Sequence, residues 1–118
     1  YDAWDKVTER GRRCMARGGQ RMVTCVLYLN DVDEGGGTSF PNLDTEVRAK
    51  KGRLLLFHNC HQGSSVRHPD SLHGSLPVLK GKKWACYIWF REMEYQAPGT
   101  APTRPAEVAG TPKYTRVI

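Results

Sequence analysis

The residues able to do chemistry stand in four short stretches: Tyr1-Asp2, Gly35-Gly36-Gly37-Thr38-Ser39-Phe40-Pro41, Ser71-Leu72-His73-Gly74, and Pro77-Val78 through Gly81-Lys82-Lys83-Trp84. Taken singly they decide little. A histidine beside a turn, such as His73, is ordinarily structural or solvated. A lysine after a glycine turn, such as Lys83, is ordinarily a soluble turn residue. The glycine run would cradle a phosphate only if a helix followed, and Thr38-Ser39-Phe40 reads as strand, so a phosphate loop is excluded. His58 and His61 form an i, i+3 pair that a helix could turn into a metal site, but their polar loop gives them no such rigidity. His68 precedes Pro69 in an extended turn. These three histidines are set aside as ligands.

The elements that must position these residues follow from the rest of the chain. It has 118 residues, with 18 Lys+Arg against 12 Asp+Glu and a formal charge of +6. That length suits one core. No apolar run reaches the ~18 residues of a membrane span, and no leader is visible. The chain opens on Tyr1 rather than Met, so it is expected to be processed or a fragment. The positive balance fits an anionic ligand or a solvated face. Without an aromatic-basic RNA motif or a helix-turn-helix pattern, no nucleic-acid partner is assigned. Cys14, Cys25, Cys60 and Cys86 lack metal-knuckle or CxxC spacing. Cys25 and Cys86 fall in apolar runs and are expected to be buried thiols. This usage tilts toward a reducing, cytoplasmic compartment but assigns none.

Residues 1–20 read as an apolar-acidic start and then an arginine-rich polar loop. Residues 21–30 read as a buried strand, 31–37 as a turn, 38–40 and 45–49 as short strands. Residues 53–57 read as a strand of the buried kind. Residues 58–70 read as a polar loop, 71–78 as extended chain and 83–91 as a strong strand. Four of the seven prolines lie in residues 96–118, an expected extended tail. The expected domain is therefore 1–95. Many short strands with Gly/Pro turns and almost no helical periodicity indicate a β-sandwich or barrel.

In order, the stretches resemble the prolyl 4-hydroxylase branch of the iron(II)/2-oxoglutarate dioxygenases. The matches are Asp2, Arg21-x-x-Thr24, Tyr28-Leu29-Asn30, Gly36-x-Thr38-x-Phe40-Pro41, the Gly-x-Leu-Leu-x-Phe run of residues 52–57, Ser71-Leu72-His73, Pro77-Val78-x-x-Gly81-x-Lys83-Trp84 and Trp89. They run from Tyr1 to about Glu92. The implied fold is mainly β, a double-stranded β-helix (jelly roll). The family's first metal-binding histidine lies two residues before its aspartate, which would be the residue before Tyr1. The chain is therefore expected to be N-terminally truncated, to bind iron weakly by itself, and to be impaired as an enzyme.

The resemblance implies an enzyme that couples decarboxylation of 2-oxoglutarate to hydroxylation of a prolyl residue in a peptide or protein. It implies Fe(II) as cofactor, 2-oxoglutarate as co-substrate and ascorbate as a further requirement. Asp2 and His73 would be the two metal ligands present, part of a two-His, one-carboxylate triad. Lys83 would meet the distal carboxylate of the co-substrate. Tyr28, Thr38 and Trp89 would border the co-substrate, and Arg21 the substrate groove. Pairing of residues 71–78 with 83–91 across a turn at 79–82 would set Lys83 opposite Val78. By strand parity Lys83, Ala85, Tyr87 and Trp89 share one face, and Trp84, Cys86, Ile88 and Phe90 the other. Truncation would leave strand edges and apolar faces bare, so self-association is expected. Two other readings are a non-catalytic jelly-roll module that holds a peptide, and a basic interaction domain that binds through its tail.

Overall fold

A computed structural model describes residues 1–99. All but the first four residues of the expected tail lie outside the described residues. One helix, α1 (Glu9–Met15), precedes eight strands. These are β1 (Arg21–Tyr28), β2 (Glu34–Gly35), β3 (Thr38–Phe40), β4 (Thr45–Val47), β5 (Leu54–His58), β6 (Gly74–Ser75), β7 (Val78–Lys80) and β8 (Ala85–Arg91). They form antiparallel sheets ordered β5-β1-β8, β4-β3-β6 and β2-β7. The architecture is the expected mainly β jelly roll. Among the described residues no helix is long and apolar enough to cross a membrane.

β1 is the central strand of the main sheet. Its β-branched and aromatic residues suit a strand with neighbours on both sides. Thr24, Val26 and Tyr28 point to one face, paired with Phe57 and Leu55 of β5 and with Trp89, Tyr87 and Ala85 of β8. Val26 and Tyr28 are fully buried and, with Ala49, gather Val32, Val47, Leu55, Phe57 and Ala85 around them. Val23, Cys25 and Leu27 point the other way, beside Leu54, Leu56, Cys86, Ile88 and Phe90.

Four expectations need correction. Residues 9–15 form a helix, not a loop. The Thr8 side chain accepts the Gly11 N–H, Glu9 sits in the first turn, and Arg12 and Arg13 sit in the last. Those are cap and dipole signals, but the helix is too short to show an apolar stripe. Gly11 is needed because a Cβ there would collide with the Asp5 carbonyl. Second, residues 53–57 are not buried on both faces: Leu54 and Leu56 are 56% and 55% exposed. Third, Cys86 is exposed on that same outer face, whereas Cys25 is the buried free thiol expected. Fourth, residues 71–78 do not pair with 83–91, and Lys83 precedes β8 rather than lying in it. Instead β6 pairs with β3, β7 with β2, and β8 with β1. In a jelly roll successive strands alternate between sheets. Gly35 (φ 74°) permits the close approach of β2 to β7, since a Cβ there would strike the Pro77 carbonyl.

The two faces of the main sheet predict opposite mutational costs. Val26→Ala removes a side chain that is 1% exposed and should cost about 2 kcal/mol. Leu56→Ser on the outer face should stay within about 0.5 kcal/mol. Urea unfolding of the two variants checks this. Equal losses would contradict the assignment of faces.

Candidate metal and dicarboxylate site

Asp2 and His73 are far apart along the chain and meet over the inner face of β1. Asp2 Oδ2 lies 3.6 Å from His73 Nε2, with both side chains largely covered. His73 Nδ1 lies 2.8 Å from the Ser71 carbonyl oxygen. A carbonyl can only accept, so Nδ1 carries a proton, and in the neutral ring Nε2 is the nitrogen whose lone pair faces Asp2. Phe57 packs edge-on against the imidazole at 4.7 Å and against Phe40 at 5.0 Å. The β3–β6 pairing, Ser39 opposite Gly74, delivers His73 to that aromatic wall.

The carboxylate is held with equal care. Thr24 donates to Asp2 Oδ2 at 2.7 Å, and Trp89 Nε1 donates to the same oxygen at 3.0 Å. The segment behind Asp2 is tied by Gln20, which is fully buried. Its amide accepts the Trp4 N–H at 2.7 Å and donates to the Trp4 carbonyl at 2.8 Å. Gln20 thereby does for Trp4 what a neighbouring strand would do. Arg21 lies over the Trp89 ring at 4.1 Å and the Trp4 ring at 5.0 Å. Burial lowers its pKa, and Asp2 opposes the shift. Arg21 Nε is buried with no hydrogen-bond partner.

Lys83 reaches a second cluster at the other end of β1. Its Nζ donates to Ser75 Oγ at 2.8 Å and lies 5.5 Å from the centre of the Tyr28 ring. Ser75 is directly opposite Thr38 across the β3–β6 pair, and the Thr38 and Tyr28 hydroxyls are 2.6 Å apart. Asn30 clamps the chain on either side of Lys83: it donates to the Lys82 carbonyl and accepts the Trp84 N–H, both at 2.7 Å. Burial lowers the Lys83 pKa below the ordinary 10.5. Two hydroxyls share one hydrogen bond, so the Tyr28–Thr38 pair retains one proton to donate.

The seven residues singled out from the sequence thus form two groups. Asp2, His73, Trp89 and Arg21 are one; Lys83, Tyr28 and Thr38 are the other. Thr24 and Tyr28 carry the two ends and are four residues apart on β1, or ~13 Å at about 3.3 Å per residue. Tyr87 lies between them, stacked on Trp89 at 6.2 Å. Its pKa is raised by burial first, then by Tyr28 and Asp2. Sequence reasoning put Tyr87 on the correct face but gave it no role. It missed Ser75, which only the β3–β6 register reveals, and Asn59 altogether, and it marked Ser71 as part of a motif without a role of its own. His68 Nδ1 accepts the Asp70 N–H at 3.1 Å, so its proton sits on Nε2 and it is no metal donor. Among the described residues no three His, Cys, Asp or Glu side chains gather as a metal site. Asp2 and His73 nevertheless fit an iron(II) ion in kind: one carboxylate and one imidazole with a free, aimed lone pair.

The model of the 2OG-Fe(II) oxygenase superfamily matches residues 4–91. The chain belongs to the 2OG-Fe(II) oxygenase superfamily. A protein of Acanthamoeba polyphaga mimivirus, named as a candidate prolyl 4-hydroxylase, is 38% identical over 94 residues, covering 77% of this chain and 39% of the relative. Prolyl 4-hydroxylase 5 of Arabidopsis thaliana is 38% identical over 98 residues, 67% of this chain and 33% of the relative. The solved viral collagen prolyl hydroxylase of Paramecium Bursaria Chlorella virus-1, as its 2OG complex, aligns with a TM-score of 0.60 at 34% identity, over 64% of this chain and 43% of that one. This oxygenase chain therefore spans less than half the length of these relatives.

The lowered Lys83 pKa has a pH consequence. A lysine holds a dicarboxylate only while protonated. Were Lys83 to hold 2-oxoglutarate, as the resemblance implies, affinity should fall, as pH rises, before an ordinary lysine would lose its proton. Calorimetric titration across the alkaline range checks this, and binding flat through that range would contradict it.

Proposed function

We infer that this protein is an iron(II)- and 2-oxoglutarate-dependent dioxygenase that hydroxylates prolyl residues in a peptide or protein. One observation carries the reading. In a chain of the 2OG-Fe(II) oxygenase superfamily, Asp2 Oδ2 faces His73 Nε2 at 3.6 Å. The relatives named as prolyl 4-hydroxylases support the substrate class.

Asp2 and His73 would hold the iron. When bound, the metal supplies the oxygen-activating chemistry that turns 2-oxoglutarate into succinate and CO₂ and places a hydroxyl on the substrate. The chain's own residues do the rest. Lys83 binds the distal carboxylate of the co-substrate, and the spare proton of the Tyr28–Thr38 pair is donated beside it. Phe40 and Phe57 form an apolar wall on the His73 side of the space between. Trp89 also holds Asp2 in place through its N–H. Arg21, stacked on the far side of Trp89, meets the peptide. Ascorbate is proposed as the reductant that restores iron(II). The domain proposed for this work is residues 1–95.

With a prolyl peptide, Asp2→Ala or His73→Ala should abolish iron-dependent succinate release by the full-length protein. Lys83→Ala should raise the 2-oxoglutarate requirement about 10–100-fold, from the ~1.5–3 kcal/mol of a hydrogen bond to a charged group. An unchanged requirement removes Lys83 from the site. Co-substrate that binds but is never consumed with any prolyl peptide removes the prolyl substrate.

Self-association is proposed for the main sheet, where β5 and β8 pair only with β1 among the described residues. Light scattering of the chain should show species larger than a monomer. A stable dilute monomer would argue against it.

A further inference from the structure

We propose that Asn59 is the positioning residue of the Asp2–His73 pair, acting on the carboxylate through Thr24. The proposal rests on the reading of that pair as metal donors. Thr24 and Asn59 are both fully buried. Asn59 Nδ2 lies 2.8 Å from Thr24 Oγ1, and Thr24 Oγ1 lies 2.7 Å from Asp2 Oδ2. An amide nitrogen only donates, and a threonine hydroxyl has one proton. Asn59 therefore occupies the acceptor side of Thr24 and sends its single proton to Asp2. The Trp89 N–H arrives at the same carboxylate oxygen. Two donors on Oδ2 fix the carboxylate's rotation while leaving it opposite His73.

The main chain of Asn59 acts on the imidazole. Its N–H donates to the Met22 carbonyl at 2.8 Å, and its carbonyl accepts the His68 N–H at 2.9 Å. The Ser71 hydroxyl lies 2.7 Å from the His68 carbonyl and 3.2 Å from that of Asn59. Ser71 closes the 3₁₀ turn Pro69–Ser71, and its own carbonyl accepts from His73 Nδ1. One buried asparagine thus secures the carboxylate by its side chain and the turn that aims the histidine by its backbone. Asn59 Oδ1 is buried with no hydrogen-bond partner. Leaving an acceptor unmet inside a protein costs stability. The Asn59–Thr24 pair could be replaced by apolar side chains of similar shape at little loss of folding, so stability alone does not account for it.

The test is titration of the chain with Mn(II), followed by electron paramagnetic resonance. Thr24→Val removes the proton sent to Asp2. Asn59→Asp keeps the size but offers an acceptor, which draws the Thr24 proton away from Asp2. Each should weaken Mn(II) binding about 10–100-fold, the usual effect of losing an outer partner of a metal ligand. Thr24→Ser, which keeps the hydroxyl, should restore it. The doubly apolar Thr24→Val, Asn59→Leu variant should melt near the parent and still bind weakly. Parent-like affinity in Thr24→Val, or equal losses in Thr24→Ser and Thr24→Val, would overturn the proposal. A metal-free crystal structure of Thr24→Val gives an independent answer. Asp2 swung away from His73 supports the relay, and Asp2 unmoved overturns it. If Asp2→Asn and His73→Ala take up Mn(II) as well as the parent, the metal reading fails; in that case, or if two ligands alone hold too little Mn(II) to titrate, this crystal structure alone decides the relay.

Discussion

The pairing of β1 with β5 on one side and β8 on the other is the constraint on which everything else rests. Because side chains alternate along a strand, that single register puts Thr24, Val26 and Tyr28 on the inner face at successive steps. Thr24 grips the carboxylate end, Val26 fills the core, and Tyr28 carries the hydroxyl at the lysine end. β1 is therefore a ruler as well as a wall. A slip of one residue would exchange this set for Val23, Cys25 and Leu27 and dissolve both ends of the site together.

What was legible in the sequence was local or ordered along the chain. The strand over residues 21–28 showed in its β-branched run, and the parity of residues 83–91 put Tyr87 and Trp89 on the inner face. The seven site residues were marked by short motifs, and the structure gathers them into two neighbouring groups. What was not legible depended on distant partners. Nothing near residues 85–91 says that their neighbour is β1 rather than the preceding segment, because the alternation of strands between sheets is a property of the whole fold. Leu54 and Leu56 looked buried because an apolar run does not say how many of its faces are covered. Helix α1 was missed because seven residues give too little periodicity, and only the cap at Thr8 and the charges of Glu9, Arg12 and Arg13 spoke for it. Asn59 sits in the stretch read as a polar loop and acquires meaning only from what the fold brings against it.

The interior is unusually mixed in character. Beside Val26, Tyr28 and Ala49 it contains Gln20, Thr24, Asn59 and Ser71. Polar groups taken from water need partners, and here nearly all have them, with Asn59 Oδ1, Arg21 Nε and Trp4 Nε1 as the exceptions among the described residues. All three exceptions lie around Asp2 or its immediate supports. The part of the molecule built for chemistry is where stability is least complete.

Gln20 carries one last implication. The segment at Trp4 is fastened by a side-chain amide rather than by a ladder of backbone bonds. A ladder opens only by unzipping its neighbours, whereas an amide lets go alone. The Trp4 main chain can therefore loosen while β1 stays paired, the kind of low-energy opening that amide hydrogen exchange resolves. The Trp4 N–H should then exchange well before those of Val26 and Tyr28. The carboxylate keeps its own two donors, so the strap behind it can loosen without taking Asp2 from its histidine.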